Sequence, residues 1–390
     1  MGGTLFCRHN SRACLHIIQR EIIVQRGGMM KSDYSNIRLE ITAFLVCVVT
    51  IAVMLMTVGT AELSYAAASV VFYAGKTELV TVAEESTIPD VTQTSATSKE
   101  ESDGITDTPS DIKVLIEKYK NLFADDERDG DIRSSTYINN GATHIFENVR
   151  VKNTTETKTL NIEKVLSEPL ELKIDKTKPA VLIFHSHTSE GYEMIERDWY
   201  AQGYIPRSND ENLNVVRVGK EIADYLTELG YNVIHDKTIH DDKYSDSYPN
   251  SRKTVEKHLE EHPEIQIVLD IHRDSITLND GTKIKPVNTI GGKKAAQLMI
   301  ITGAEEGKVE DFPDWEHNLR FALNLQRECE TMYEGLMRPV LFSQRKYNMD
   351  MTRFSLLIEM GSEANTLEEA CYSARMLAAA LGSLMERYTV

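Results

Sequence analysis

Cysteine is scarce, and what there is forms no pattern. Of five cysteines in 390 residues, Cys7 and Cys14 precede a hydrophobic run, Cys47 lies inside it, and only Cys329 and Cys371 fall in the second half. That distribution excludes a disulfide framework. Cys329 and Cys371 each sit in an apolar-periodic helix pattern, where a small buried thiol is expected and a bridge between the two is the alternative. Positive charge is also in short supply. Lys and Arg number 43 against 60 Asp and Glu, a net charge of -17, which excludes a sequence-independent grip on nucleic acid. The same acidity disfavours field-driven attraction to acidic polymers, so contact with such a substrate must be local. Aromatics are only 7%, but apolar residues reach 41%, enough for a core in a chain with room for two domains at ~150 residues each.

One long run has no charge at all. Between Glu40 and Glu62, residues Ile41 to Ala61 are uncharged, and at ~1.5 Å per residue they span the ~30 Å hydrocarbon layer as a single transmembrane helix. Arg8, Arg12, Arg20, Arg26, Lys31 and Arg38 precede it, whereas the other flank opens with Glu62 and carries no Lys or Arg until Lys76. The positive-inside bias places residues 1–40 in the cytoplasm and everything after Ala61 outside the cell membrane. A cleaved signal peptide starting at Met29 or Met30 is the competing reading, with the small residues around Gly59 to Ala61 as its cleavage site.

Residues 62–110 read as a disordered linker, since Glu84 through Ser110 are dominated by Thr, Ser, Glu and Asp and cannot repay the entropy of ordering. Residues 111–177 read as a small accessory region, with helical spacing in Asp111 to Phe123 and short alternating runs around Thr136 to Phe146 and Leu170 to Ile174. At Pro179 the pattern changes, and 178–390 reads as the main domain. Ala180 to Phe184 is an apolar run of strand length, Asn214 to Leu229 an amphipathic helix stopped by Gly230, and Tyr231 to Ile234 apolar again. Beyond this β-α-β unit, Thr254 to Glu261 predicts helix, Ile265 to Leu269 and Gln297 to Thr302 strands, Trp315 to Tyr333 helix, Ser355 to Ile358 strand, and Leu367 to Tyr388 a closing helix. The fold class is therefore α/β, a mostly parallel sheet flanked by helices. Ligands of such sheets collect beyond the carboxyl ends of the strands.

Three apolar runs end in residues that suit a metal hydrolase. Ala180 to Phe184 runs into His185, His187 and Glu190; Ile267 to Leu269 into Asp270, His272, Arg273 and Asp274; Leu356 to Ile358 into Glu359 and Glu363. Singly, a His at a strand end is more often a hydrogen-bonded structural residue, and a Glu more often a cap or a solvated charge. Convergence at one sheet edge favours a site, because catalytic zinc takes three protein ligands and leaves one position open. His235, His240, His258 and His262 stand among charges and read as surface residues. Zinc acidifies water and polarises a carbonyl, and Glu359 is placed as the general base. Arg273 or Asn365 is a candidate to steady an oxyanion or a substrate carboxylate, unless Arg273 simply pairs with Asp270 or Asp274.

The stretches FHSHTSEGY, NVVRVGKEIADYL, VLDIHRDS and LLIEMGSEANTLEEA closely resemble the stage II sporulation protein P family, peptidoglycan hydrolases of endospore-forming bacteria related to zinc N-acetylmuramoyl-L-alanine amidases. The resemblance covers most of residues 178–390. It implies a zinc-amidase-like fold and cleavage of the bond between muramic acid and L-alanine, with endopeptidase action on stem-peptide cross-links as a second activity, during engulfment of the forespore. Carried onto this sequence, the amidase pattern assigns His272 as a metal ligand and Glu359 as the catalytic carboxylate. The first His is His187 or His185, and the Glu ligand is Glu190 or, by the placement in the wider amidases, Glu211. The implied partners are peptidoglycan, the membrane through the N-terminal helix, and two other engulfment proteins, a lytic transglycosylase and a multispanning membrane protein. Two rivals remain: a barrel amidohydrolase, which needs about 250 residues and eight β-α units, and a non-catalytic envelope scaffold with a degenerate site.

Overall fold

The computed structural model describes residues 105–390 apart from 124, 125 and 205. The expected transmembrane helix (41–61) and most of the expected linker (62–104) lie outside the described residues. Among the described residues, no helix is long and apolar enough to cross a membrane.

The chain enters through helix α1 (Ser110–Leu122), then strands β1 (Arg128–Ser135), β2 (His144–Phe146) and β3 (Val149–Asn153), and a short helix α2 (Ile162–Ser167). The β-α-β unit follows as β4 (Pro179–Phe184), a short β5 (Trp199–Ala201), α3 (Val215–Glu228) and β6 (Asn232–His235). After α4 (Ser247–Glu261) come β7 (Ile267–Asp274), β8 (Lys283–Ile290), β9 (Lys293–Ala296) and β10 (Leu298–Gly303). Helix α5 (Trp315–Met332), β11 (Val340–Ser343), β12 (Phe354–Ser362) and α6 (Leu367–Glu386) complete it. The helix starts are chemically marked. Asn214 accepts a bond from the Val216 amide at the start of α3, and Thr366 with Glu369 forms a reciprocal capping box at α6.

The eight-stranded sheet runs β2-β3-β11-β10-β12-β7-β4-β6. It is mixed rather than mostly parallel. Its centre, β12-β7-β4-β6, is parallel, but β10 pairs antiparallel with β12 and β2 with β3. A second sheet of four strands, β5-β1-β8-β9, is antiparallel at both ends. Its β8–β9 hairpin turns at Gly291 and Gly292, whose φ values of 56° and 75° need residues without a Cβ. Both sheets are open, so no closed barrel forms among the described residues.

The expected accessory region is not separate. Strands β2 and β3 extend the edge of the main sheet, β1 joins the small one, and Ile112, Val149 and Val151 belong to the main core. Even the end of the expected linker is packed: Ile105 is buried in that core, and Arg375 donates to the carbonyls of Ile105 at 2.9 Å and Asp107 at 3.2 Å.

Strand periodicity assigns each residue to a layer. On one face, Val181 and Ile183 of β4, Ile267, Leu269 and Ile271 of β7, and Leu356 and Ile358 of β12 pack under α3, α5 and α6 in the main core. On the other, Leu182, Phe184 and Val268 pack with Val255 of α4, and Leu357 with Ile301, Phe312 and Met349. Cys329 and Cys371 are both free and buried, the small-thiol role expected of them.

Candidate active site

The same alternation decides which polar side chains meet. Asp270 and His272 continue the Val268 side of β7, and Glu359 continues the Leu357 side of β12. Since β7 and β12 are parallel with His272 and Glu359 as register partners, the two side chains stand next to each other on the α4 side of the sheet. His185 falls on the opposite parity, in line with Val181 and Ile183. Its Nδ1 lies 2.9 Å from the Ile271 carbonyl and its Nε2 2.9 Å from Nε2 of His235. The ring is fully buried beneath Gly219 of α3, where an added Cβ would come within 2.7 Å of its Cε1. With both nitrogens engaged on the far side of the sheet, His185 is a structural histidine and not a ligand candidate.

His187, on the loop leaving β4, is buried and faces the site. Its ring stacks on Tyr244 at 4.4 Å and meets His272 edge-on at 5.4 Å, and its Nδ1 is buried with no hydrogen-bond partner. Glu190 is buried on the same loop, with Oε2 3.5 Å from Nδ1 of His272 and 3.1 Å from the Arg273 amide. Burial opposes its charge, yet His272, Arg273 and His187 prevail and bring its carboxyl down to about 2. Glu211 is exposed and paired with Lys237 at 3.1 Å; the structure does not bring it to this cluster.

The loop is held by carboxylates that the sequence pattern did not single out as supports. Asp270 accepts from the Ser186 amide at 2.8 Å and its hydroxyl at 2.5 Å. Its Oδ1 also stands 2.8 Å from Nε2 of His272, an ion-pair approach at an angle that makes no hydrogen bond. Although burial works against a charged ring, Asp270 and Glu190 raise the His272 pKa well above its ordinary value. Asp241 accepts from the Ser189 hydroxyl at 2.6 Å and from Arg207 at 2.8 Å. Glu359 keeps some exposure as a residue, but its Oε2 is sealed and unpartnered. Desolvation pushes its carboxyl up to about 8, offset in part by His272.

Other expectations are corrected. Arg273 is buried, donating to the carbonyls of Gly191 at 3.0 Å and Pro206 at 2.7 Å and to Glu363 at 3.2 Å. It fastens loops together and is not presented to substrate; nor does it pair with the carboxylate of Asp270 or of Asp274, which binds Arg338 at 2.9 Å. Asn365 is fully buried, bonded to Ser362, Pro286 and Glu369. His240, expected at the surface, is buried between the His185 carbonyl and Thr254. His258 pairs with Asp236 at 2.8 Å.

The donors suit zinc in kind. With metal–ligand bonds of ~2.0–2.2 Å, two ligands of a tetrahedral ion stand about 3.3–3.6 Å apart; the 3.5 Å between Glu190 and His272 falls within that range and is long for a hydrogen bond. The unpartnered Nδ1 of His187 borders the same nest. As the side chains stand, no group of three His, Cys, Asp or Glu among the described residues is drawn close enough to hold an ion. The residues therefore fit the metal in chemistry and in one pair spacing, short of a closed cage.

A family model described as stage II sporulation protein P matches residues 78–382, most of the chain. The chain belongs to that family. Stage II sporulation protein P of Bacillus subtilis (strain 168) is 30% identical over 205 residues, covering 49% of this chain and 47% of that protein. The chain thus spans about half the length of the curated relative it matches. Among solved structures, the N-acetylmuramoyl-L-alanine amidase AmiC2 of Nostoc punctiforme is 13% identical, covering 55% of this chain and 99% of that one, with a TM-score of 0.33. The CwlD amidase of Clostridioides difficile, solved with the GerS lipoprotein, is 12% identical over 54% of this chain and 98% of that one, with a TM-score of 0.34. Within the stage II sporulation protein P family, this member presents His187, Glu190, His272 and Glu359 from three adjoining segments of one sheet edge.

Proposed function

We propose that this family member is a zinc-dependent peptidoglycan hydrolase that cleaves the amide between N-acetylmuramic acid and L-alanine. The observation that carries the reading is the pairing of Glu359 with His272 across β12 and β7, with Glu190 at 3.5 Å. His187, Glu190 and His272 would hold the metal, and Glu359 would move the proton. When bound, zinc supplies Lewis acidity to the scissile carbonyl and to a water. Glu359, whose raised pKa a cation held beside it would bring back down, would accept the water proton in its ionised form and deliver it to the departing amine of alanine. Asp270 fixes the His272 ring from behind, and Asp241 fixes Arg207 and the loop carrying Glu190.

The reading extends to residues 41–61 as a single membrane span with the hydrolase outside the cell membrane, acting during sporulation alongside other engulfment proteins. Stem-peptide cross-links are a second substrate of the same centre. Purified sacculi incubated with the exported fragment should release peptides with a free L-alanine amine, read by mass spectrometry; release of sugars alone, or of nothing, contradicts it and favours a scaffold role. Protease added to intact protoplasts should degrade the whole hydrolase, and a protected C-terminal fragment would reverse the orientation.

A further inference from the structure

Next to the nest, a cavity of about 310 Å³ is lined by Gly191 and Arg207 at the Glu190 end and by Phe123, Asp126, Glu193 and Arg197. Glu190, Gly191 and Glu193 each make a bridge to a neighbouring segment, so the backbone between them is extended and the three steps from Glu190 to Glu193 cover at most about 10 Å. Whatever lies with its scissile bond at Glu190 can therefore reach Glu193 with a group carried two or three residues away.

The cavity's charges do not balance. Arg197 is shared between two carboxylates, with Nη1 2.9 Å from Asp126 and Nη2 3.1 Å from Oε2 of Glu193, and its guanidinium is held against Phe123 and Trp199. One cation between two carboxylates leaves one negative charge unmatched. Neighbouring cations are committed elsewhere: Lys283 to Glu363 at 2.9 Å, and Arg207 to Asp241 at 2.8 Å with Glu190 at 3.7 Å. Glu193 is only 2% exposed, and its Oε1 has no hydrogen-bond partner. Burial raises its carboxyl to about 7 even against Arg197.

We propose that this cavity is a subsite for a primary ammonium group on the substrate peptide, two or three residues from the scissile amide, with Glu193 as the residue that recognises it. An ammonium brings three donors and no acceptor, and so satisfies Oε1 and the missing charge together. A carboxylate there would meet an unpaired carboxylate. The inference rests on the hydrolase reading and adds the chemical class of peptide that the site selects.

The test uses the full chain with zinc and two synthetic muramoyl tripeptides that differ only in whether the side-chain amine of the third residue is free or acetylated. Hydrolysis of both is measured, together with equilibrium binding of the matching tripeptides without the sugar, which needs no catalysis. The wild type should favour the free amine at least ~10-fold in both assays, the scale of a charge-assisted hydrogen bond. In Glu193→Gln that ratio should fall towards one. Asp126→Asn removes the same charge unit without touching the buried oxygen and should lower the ratio in the same direction, should the first variant fold poorly. Hydrolysis without amine preference in the wild type overturns the subsite and leaves the hydrolase. Glu193-dependent amine binding without hydrolysis overturns the hydrolase and leaves the subsite, and absence of both overturns the two together.

Discussion

His272 faces His187, Glu190 and Glu359, and the carboxylate of Asp270 stands against its ring as an ion-pair partner. Asp270 reaches the ring at 2.8 Å and the Ser186 amide and hydroxyl as well, so one buried carboxylate ties the two His-bearing strand ends together. Carboxylates behind ligating histidines set ring orientation and basicity. Asp270→Asn keeps the shape and loses the charge, and zinc affinity should drop about 10–100-fold in competition with a chelator; affinity equal to wild type would remove Asp270 from this role. In the sequence Asp270 was visible only as one of several acids after a strand. The link to Ser186, 84 positions away, has no local signature.

At the scale of elements, much was legible because apolar periodicity marks buried faces. The helix expected from Asn214 is α3, capped by Asn214 itself, and the helix and strand runs from Trp315 onward lie where the pattern placed them. The hairpin β8–β9 was not expected, since Lys283, Lys285, Lys293 and Lys294 hide its strand character, and the buried Lys285 is tolerated only through Glu196 and Glu369. The choice between His185 and His187 was not legible in the sequence, because the two stand two residues apart and share one parity. His185 keeps the parity of Val181 and Ile183 and is buried under α3, whereas β4 ends at Phe184 and the loop that follows turns His187 to the His272 side. Gly219 is the counterpart of that burial. A helical Gly→Ala normally gains up to ~1 kcal/mol, but here the Cβ would strike His185 and His235 within 2.9 Å. Overpacking of about 1–3 kcal/mol should prevail, so Gly219→Ala should unfold at a lower temperature than wild type; a higher melting temperature would show that the His185–His235 pair is free to yield.

Across the whole molecule, the parallel centre β12-β7-β4 brings together three segments that are far apart in the chain, and that topology is what converts scattered His and Glu residues into one candidate centre. The central claim is that His187, Glu190 and His272 hold zinc while Glu359 transfers the proton. The measurement that tests it most directly is zinc content and wall hydrolysis, side by side, on full-length wild type, His272→Ala and Glu359→Gln. The wild type and Glu359→Gln should each carry about one zinc, with His272→Ala empty, and Glu359→Gln should be slower by at least ~10²–10⁴-fold despite its metal. A metal-free Glu359→Gln, or a His272→Ala that still hydrolyses wall in chelator-treated buffer, would contradict the account.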